Sequence, residues 1–180
     1  MSDFGTENLF SAKDWMGDLL ELKYGKDHKA LNDGNIPVYG SGGIMRYVDT
    51  FLYDEESILI PRKGTLSNIF YVDEPFWTVD TIFWSKINSE KISGKLLFEF
   101  LKTLDFSNMN VGSAVPSLTT KVLNEISFAL PPLAEQEEFK QYIDNAWYKI
   151  KQNKKQIQTL ENLRDTLLPK LLSWEIKVEV

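Results

Sequence analysis

The chain has 180 residues, of which 43% are hydrophobic and 13% aromatic, and this composition excludes a globally disordered protein. It has no cysteine, which excludes disulfides and thiolate metal sites and favours a reducing, cytoplasmic location. The formal net charge of −6 argues against non-specific DNA binding, and no stretch approaches the roughly 20 apolar residues of a membrane span.

The acidic residues are concentrated in the first part of the chain. Residues 1–132 contain 12 lysines and arginines against 18 aspartates and glutamates, which gives −6, whereas residues 133–180 contain 8 of each. A site-specific DNA reader can be acidic overall if its few cations are clustered and a partner supplies more charge. The same charge also suits a protein-binding domain, so both interpretations stay open.

Short apolar segments between polar turns predict β-strands up to about residue 84. The turn signal Asn32–Asn35 precedes one of them, and Pro37 favours a strand start or a sheet edge, because proline cannot donate a hydrogen bond to a neighbouring strand. Residues 15–22 suit a short strand or a turn of helix. The predicted strands cover residues 36–39, 44–48, 57–60, 69–72 and 81–84.

The second part of the chain is predicted to be mainly helical. Ser93–Leu104 has its apolar residues on one side, with Ser93 as the N-cap. Val122–Leu130 is expected to pack on the core. Leu133–Leu168 contains neither proline nor glycine, and Pro169 predicts a kink or a stop. The fold class is therefore α+β: a small mixed α/β domain with short strands, followed by one long coiled-coil helix.

The long helix carries a heptad repeat with apolar side chains at eight of ten a and d positions. Its predicted length is roughly 50 Å. An exposed apolar seam is unfavourable in water, so we expect a second copy to pack antiparallel against it, with Asn153 fixing the register. The alternative is that the helix folds back on its own domain. The predicted interface residues are Phe139, Ile143, Ala146, Ile150, Asn153, Ile157, Leu160 and Leu167.

A catalytic site is not indicated. His28 is the one histidine and is expected to be an exposed surface residue. With no second histidine and no cysteine in the chain, it cannot complete a metal-binding set of these residues. The chain lacks a P-loop, a nucleophile elbow and the motif of an amino-methyltransferase. Glu-Xaa-Lys triplets begin at Glu21 and Glu175, but no Pro-Asp pair precedes either. We therefore expect no enzyme activity, metal or cofactor, and a small nuclease is the enzymatic alternative.

Two glycine-containing loops are the candidate binding elements. Glycine lets the backbone approach a ligand closely, and arginine, lysine, serine and asparagine can bind phosphates or base edges. Both loops could equally be plain hairpin turns, since the same residues populate any turn. The candidate DNA-contacting residues are Tyr39, Gly40, Ser41, Gly42, Gly43 and Arg46 in the first loop, and Arg62, Lys63, Gly64, Thr65, Ser67 and Asn68 in the second.

Several motifs in order resemble the specificity subunits of type I restriction–modification systems. The resemblance covers roughly residues 12–174. It also includes a leucine-rich end of the long helix, Leu-Leu-Xaa-Xaa-Leu-Leu-Ser, over residues 167–173. The other motifs are IPVYGSGG at 36–43, ILIPRKGT at 58–65, Phe76-Trp77, GSAVPSL at 112–118 and LPPLAEQ at 130–136.

The resemblance implies a non-catalytic subunit that reads a bipartite double-stranded DNA sequence and recruits methyltransferase (modification) and restriction subunits. Such subunits usually have two target-recognition domains and two conserved spacer helices, which pack antiparallel. This chain has one of each, so it is similar to a half-length form: a target-recognition domain at 1–132 and a spacer and dimerisation helix with its tail at 133–180. A homodimer through antiparallel helices would restore the pair. The non-DNA alternative is a protein–protein adaptor that dimerises through the coiled coil.

Overall fold

The computed structural model describes residues 13–109 and 117–173, which form nine β-strands and four helices. The helices are α1 (Met16–Leu19), α2 (Gly94–Lys102), α3 (Thr120–Asn124) and α4 (Leu133–Leu172). The strands are β1 (Lys13–Trp15), β2 (Leu20–Tyr24), β3 (Asp33–Gly40), β4 (Gly43–Val48), β5 (Ser57–Pro61), β6 (Phe70–Val72), β7 (Trp77–Thr78), β8 (Ile82–Ile87) and β9 (Ser127–Ala129). The predicted α+β class is confirmed.

The strands form three small sheets. Four strands pair in the order β2-β8-β5-β6 and three in the order β4-β3-β7, while β1 pairs with β9. Nearly all of these pairings are antiparallel, but β3 and β7 run parallel. Antiparallel neighbours can be joined by tight turns, as β3 and β4 are, whereas a longer loop over residues 62–69 joins β5 to β6.

The core lies around β5 and β8, whose apolar residues are consecutive rather than alternating, as expected of strands covered on both faces. Ser57 and Ser85 are fully buried between them. The Ser57 hydroxyl donates to the Ser85 carbonyl at 2.8 Å and accepts from the Ser85 N–H at 3.0 Å, and the Ser85 hydroxyl accepts from the Ile58 N–H at 2.9 Å. This exchange satisfies polar groups that burial would otherwise leave unpaired.

Pro37 does not mark a strand start or a sheet edge, so that prediction is wrong. It is the fifth residue of β3, which is the central strand of its sheet. The strand tolerates it because β7 pairs with β3 at Val38 and Tyr39, beyond the proline.

The segment predicted to pack on the core, Val122–Leu130, supplies most of α3 and all of β9, and Leu123 within it is buried. Ser93 occupies the N-cap position of α2, but its side chain makes no capping hydrogen bond to the helix. The helix instead buries Leu97, Phe98 and Leu101, so packing rather than capping holds it.

The long helix begins at the predicted residue and ends later than predicted. Leu133 follows the two prolines, and Gln136 donates from its backbone to the Pro132 carbonyl at 3.0 Å and from its side chain to the Pro131 carbonyl at 2.9 Å. Pro169 does not stop the helix, which continues to Leu172. A proline one turn from the end disturbs few backbone hydrogen bonds, because the last carbonyls of a helix have no partner within it.

The chain divides into two compact units, Met1–Glu137 and Glu138–Val180. The domain boundary predicted after residue 132 lies at the start of α4, five residues before the division between these two units, and it stays a prediction. Within the described ranges 13–109 and 117–173, every helix is too short or too polar to cross a membrane.

Candidate nucleic-acid interface

The first candidate loop is the tip of the β3–β4 hairpin. Gly40 ends β3 and Gly43 begins β4, so Ser41 and Gly42 form a two-residue turn. Gly43 has φ of 117°, a backbone conformation that only glycine adopts readily. This loop therefore has the geometry of a hairpin turn, and the turn leaves Gly42 exposed.

The second candidate loop joins β5 to β6 and is also a hairpin connection. Gly64 has φ of 83°, and Leu66 is buried and anchors the loop to the core. Thr65 and Ser67 flank Leu66 and are exposed, because an alternation around a buried leucine directs its neighbours outwards. The loop is therefore held at its middle while its polar side chains stay accessible.

The fold brings the two loops together. The Asn68 side-chain amide donates to the Ser41 carbonyl at 3.2 Å. A Cβ added to Gly64 would lie 2.7 Å from the Ser41 hydroxyl, so the Gly64 backbone lies close against the Ser41 side chain. Two loops 27 residues apart in sequence thus form one polar surface.

A third segment supports both loops, and the sequence reasoning missed it. The Val79 N–H donates to the Tyr39 carbonyl at 3.1 Å, and the Ser41 N–H donates to the Thr81 hydroxyl at 3.4 Å. The Thr81 carbonyl accepts from the Arg62 N–H at 2.9 Å and from the Lys63 N–H at 3.2 Å. The turn before β8 is the sequence signal that could have indicated this segment. The residues of the turn themselves do not show that it contacts two hairpins that are distant in sequence.

The three candidate cations have different surroundings. The Arg62 guanidinium donates to the Asp80 carbonyl at 3.2 Å and lies 5.3 Å from the centre of the Tyr24 ring, which holds it beside the loops. Lys63 follows directly and is half-buried. Arg46 lies further along β4, where its guanidinium donates to the Asp33 carboxylate at 2.6 Å and the Leu31 carbonyl at 3.2 Å. Arg62 and Lys63 thus belong to the joined loops, whereas Arg46 is already paired within the hairpin.

Two further resembling motifs lead to the same place. Trp77 begins β7, which pairs with β3 next to the first loop. The Leu118 N–H donates to the Arg62 carbonyl at 2.9 Å, and Ser117 forms a β-bridge with Lys63. Residues 112–116 of that last motif lie outside the described residues.

Tyr39 is half-buried beneath the first loop. Burial, reinforced by the nearby charges of Glu74 and Asp73 and by Tyr47, raises the pKa of Tyr39 to about 12. Its hydroxyl therefore stays protonated at neutral pH. Its ring packs against Phe70 with centroids 5.6 Å apart, which ties the end of β3 to β6.

The joined loops offer hydroxyls, an amide, backbone N–H groups and two cations, a set that suits phosphates and base edges. Across the residues that the structure describes, no group of three or more histidine, aspartate or glutamate side chains is placed to hold a metal ion.

The second candidate surface is the apolar seam of α4. Seven of its eight predicted residues are exposed, Ile157 by 54% and Leu160 by 64% among them. Ile143 is the exception, because it is only 9% exposed in the single chain. The seam that a partner could cover thus runs mainly from Ala146 to Leu167.

Comparison with known proteins identifies the class. Residues 13–162 match the family described as the type I restriction modification DNA specificity domain. A Haemophilus influenzae protein named as a type I restriction enzyme specificity subunit is 31% identical over 117 residues, or 62% of this chain. The Methanocaldococcus jannaschii type I restriction enzyme MjaIX specificity subunit is 29% identical over 135 residues, or 71% of this chain.

Solved structures agree on the fold. The type I restriction–modification S subunit from M. genitalium has a TM-score of 0.72 at 24% identity and covers 89% of this chain. The HsdS subunit from Thermoanaerobacter tengcongensis has a TM-score of 0.56 at 15% identity and covers 88%.

The chain belongs to the type I restriction modification DNA specificity domain family. The resemblance inferred from the ordered motifs is confirmed. The chain spans 30% and 31% of the length of the two curated relatives and 45% and 44% of the two solved chains.

Proposed function

We propose that this chain is a non-catalytic specificity subunit that reads one half of a bipartite double-stranded DNA site. Recognition belongs to residues 1–132, and spacing and dimerisation to residues 133–180. The observation that carries the proposal is the junction of the two candidate loops through Asn68 and Ser41. In a family of DNA specificity domains, the surface built from two separate glycine-bearing loops is the best-supported reading surface.

Different residues of the joined loops bind the phosphates and the base edges. Arg62 and Lys63 flank the junction and serve the phosphates, since their charge binds any sequence. Thr65 and Ser67 are exposed beyond Gly64 and face base edges or sugar oxygens. The Asn68 side-chain NH₂ group donates to the Ser41 carbonyl, and the Asn68 side-chain oxygen remains as an acceptor for DNA. Arg46 contacts DNA only if its pairing with Asp33 is broken or shared.

Two copies would read two half-sites. The seam of α4 exposes apolar side chains at heptad spacing, and an antiparallel partner covers them with two-fold symmetry. The target is then an interrupted palindrome, with its spacing set by a helix of 40 residues, which is about 60 Å long. Methyltransferase (modification) subunits and a restriction subunit are the further partners, and the complex works in the cytoplasm, where the DNA is.

Footprinting of the chain together with its methyltransferase subunits tests the reading surface. We expect two protected half-sites separated by an unprotected spacer. Replacing Arg62 and Lys63 together with Ala should weaken binding to all sequences and lower the slope of log affinity against log salt by about 2, since each phosphate contact contributes about 0.9.

The matched control replaces Lys91 and Lys121 with Ala, which removes the same charge from exposed positions outside the loops. An unchanged slope in the loop variant, or one undivided footprint from a monomer, would refute the proposal. A chain that binds no DNA but still captures protein partners would favour the adaptor role that its charge of −6 suits.

Sedimentation tests the dimer. Replacing Ile150 and Ile157 with Glu places charges in the seam and should give folded monomers. The control replaces Tyr148 and Gln152 with Glu, because these residues lie at heptad positions f and c and add the same charge outside the seam. Persistence of the dimer in the seam variant would show that the seam is assigned to the wrong residues.

A further inference from the structure

A surface cleft of about 410 Å³, which is within the range of ligand-binding clefts, lies beside the joined loops and shares Val79 and Thr81 with the segment that supports them. It is lined by Lys26, Asp27, His28, Lys29, Met45, Val79, Asp80 and Thr81.

The cleft is continuous with the reading surface through Thr81. The Thr81 hydroxyl accepts from Ser41 in the first loop, and its carbonyl accepts from Arg62 in the second. On the other side of the cleft, Met45 belongs to β4 and meets the position of a Cβ on Gly40 at 2.7 Å. A ligand that lies across the loops can therefore reach the cleft without crossing another element.

The loop that forms the basic wall is fixed by its backbone. The Lys26 N–H donates to the Thr78 carbonyl at 2.8 Å, and the Lys26 carbonyl accepts from the Trp77 indole at 3.0 Å. A Cβ on Gly25 would lie 2.1 Å from the Val79 carbonyl oxygen, so the loop packs directly on the residue that follows β7. The Lys26 and Lys29 side chains are exposed and are not part of these anchors.

The cleft with its border is less acidic than the domain around it. Lys26 and Lys29 line it together with Asp27 and Asp80, and Arg62 borders it through its hydrogen bond to the Asp80 carbonyl, which gives three cations against two carboxylates. The Asp27 carboxylate accepts from the Lys29 N–H at 3.1 Å. Residues 1–132 carry a net charge of −6. A local excess of exposed cations on such a domain marks a site for an anion.

His28 adds an independent observation. Its Nδ1 atom is buried and has no hydrogen-bond partner within the described parts of the chain. Leaving a buried polar atom unpaired is unfavourable, so the residue at this position is not optimised for stability. Departures of this kind concentrate at functional sites.

From these features we infer that the cleft binds a sugar–phosphate unit of the DNA backbone next to the bases read by the loops. Lys26 and Lys29 bind the phosphate, and the apolar side chains of Met45 and Val79 lie against the deoxyribose. The inference rests on the proposed function, and it extends the phosphate-binding track from Arg62 across Thr81 to a third loop.

The test measures binding of two unrelated random-sequence duplexes to the full chain, alone and with its methyltransferase subunits. Lys26→Ala with Lys29→Ala should weaken both duplexes alike and reduce the salt slope by one to two, at about 0.9 per phosphate. Lys91→Ala with Lys121→Ala removes equal charge. The end of β8 lies about 20 Å from Thr81 at the usual rise per residue of a strand, and Lys91 comes after that end. We expect this control variant to leave the salt slope unchanged.

A second measurement uses the unchanged protein. Bound duplex should protect Lys26 and Lys29 from acetylation and leave Lys91 and Lys121 reactive. Equal acetylation at all four lysines, or a cleft variant with the slope of the control, would overturn the cleft site while the loop variants could still support the proposed function. Failure of the unchanged chain, with its methyltransferase subunits, to bind either duplex would overturn the cleft site, whereas the proposed function is judged by the footprint on a specific site.

Discussion

The junction of the two loops depends on Gly64, and replacing it with Ala tests this directly. Two costs follow from the structure. The φ of 83° is a left-handed conformation that costs an L-residue about 1–2 kcal/mol. The new Cβ would lie 2.7 Å from the Ser41 hydroxyl, so that hydroxyl must move. We expect the free energy of unfolding to fall by roughly 1–3 kcal/mol in urea denaturation.

A second substitution separates the two costs. Ser41→Ala removes the hydroxyl but keeps the backbone carbonyl that accepts from Asn68 and the N–H that donates to Thr81. Combined with Gly64→Ala, it should restore about 0.5 kcal/mol or more relative to the sum of the single changes, as expected for residues in contact.

The matched control is Gly42→Ala, because nothing lies within 4 Å of an added Cβ there. It should change stability by no more than about 0.5 kcal/mol. If Gly64→Ala is as neutral as this control, or if the Ser41 and Gly64 substitutions are strictly additive, the loops do not meet as described.

Two further predictions concern the core and the tyrosine beneath the first loop. Ser57→Ala leaves the buried Ser85 N–H unpaired and should lower the free energy of unfolding by about 1–3 kcal/mol in urea denaturation. The control Ser89→Ala, at an exposed turn, should change it little. An equal loss of stability in both variants would contradict the hydrogen bonds between Ser57 and Ser85. The raised pKa of Tyr39, about 12 against an ordinary 10, means that its contribution to stability is present below pH 10 and is lost as the pH rises towards 12. Tyr39→Phe should therefore flatten the alkaline loss of stability and remove a late step from the tyrosinate absorbance titration, and Tyr148→Phe, at an exposed position, should do neither.

The local elements of this protein could be predicted from the sequence because their signals are local. Pro131 and Pro132 placed the start of α4, and the glycine-bearing turns placed the hairpins. The stop predicted at Pro169 is wrong, because a proline signal gives no weight to how few backbone hydrogen bonds remain to be broken near a helix end, while the alternative of a kink there stays a prediction. The short strand β7 was missed because its two residues have no pattern of their own.

The candidate site could be predicted in its parts but not in its assembly. Each loop was recognisable by glycine, arginine and asparagine. That Asn68 would bond to Ser41, or that Thr81 would serve both loops, depends on the parallel pairing of β3 with β7. Such pairing joins segments about 40 residues apart and leaves no periodic trace in either of them. The cleft beside Lys26 was missed for the same reason, since its walls come from three separate segments.

The seam of α4 sets a limit on how strongly two copies can associate without help. Burying an isoleucine or leucine fully contributes about 1.5–3 kcal/mol, and Ile150, Ile157, Leu160 and Leu167 are each roughly half exposed. Two copies of these four side chains therefore gain on the order of 8 kcal/mol, while association itself costs at least about 4 kcal/mol and Asn153 adds to that cost. The net gain of at most about 4 kcal/mol predicts a weak dimer, with a dissociation constant of about 1 mM or above. Two readers on one DNA molecule would face each other at an effective concentration near millimolar, which is comparable to that dissociation constant and favours pairing of the two helices. Sedimentation should accordingly show a concentration-dependent dimer that a duplex with two half-sites strengthens, and a tight dimer unaffected by DNA would contradict this account.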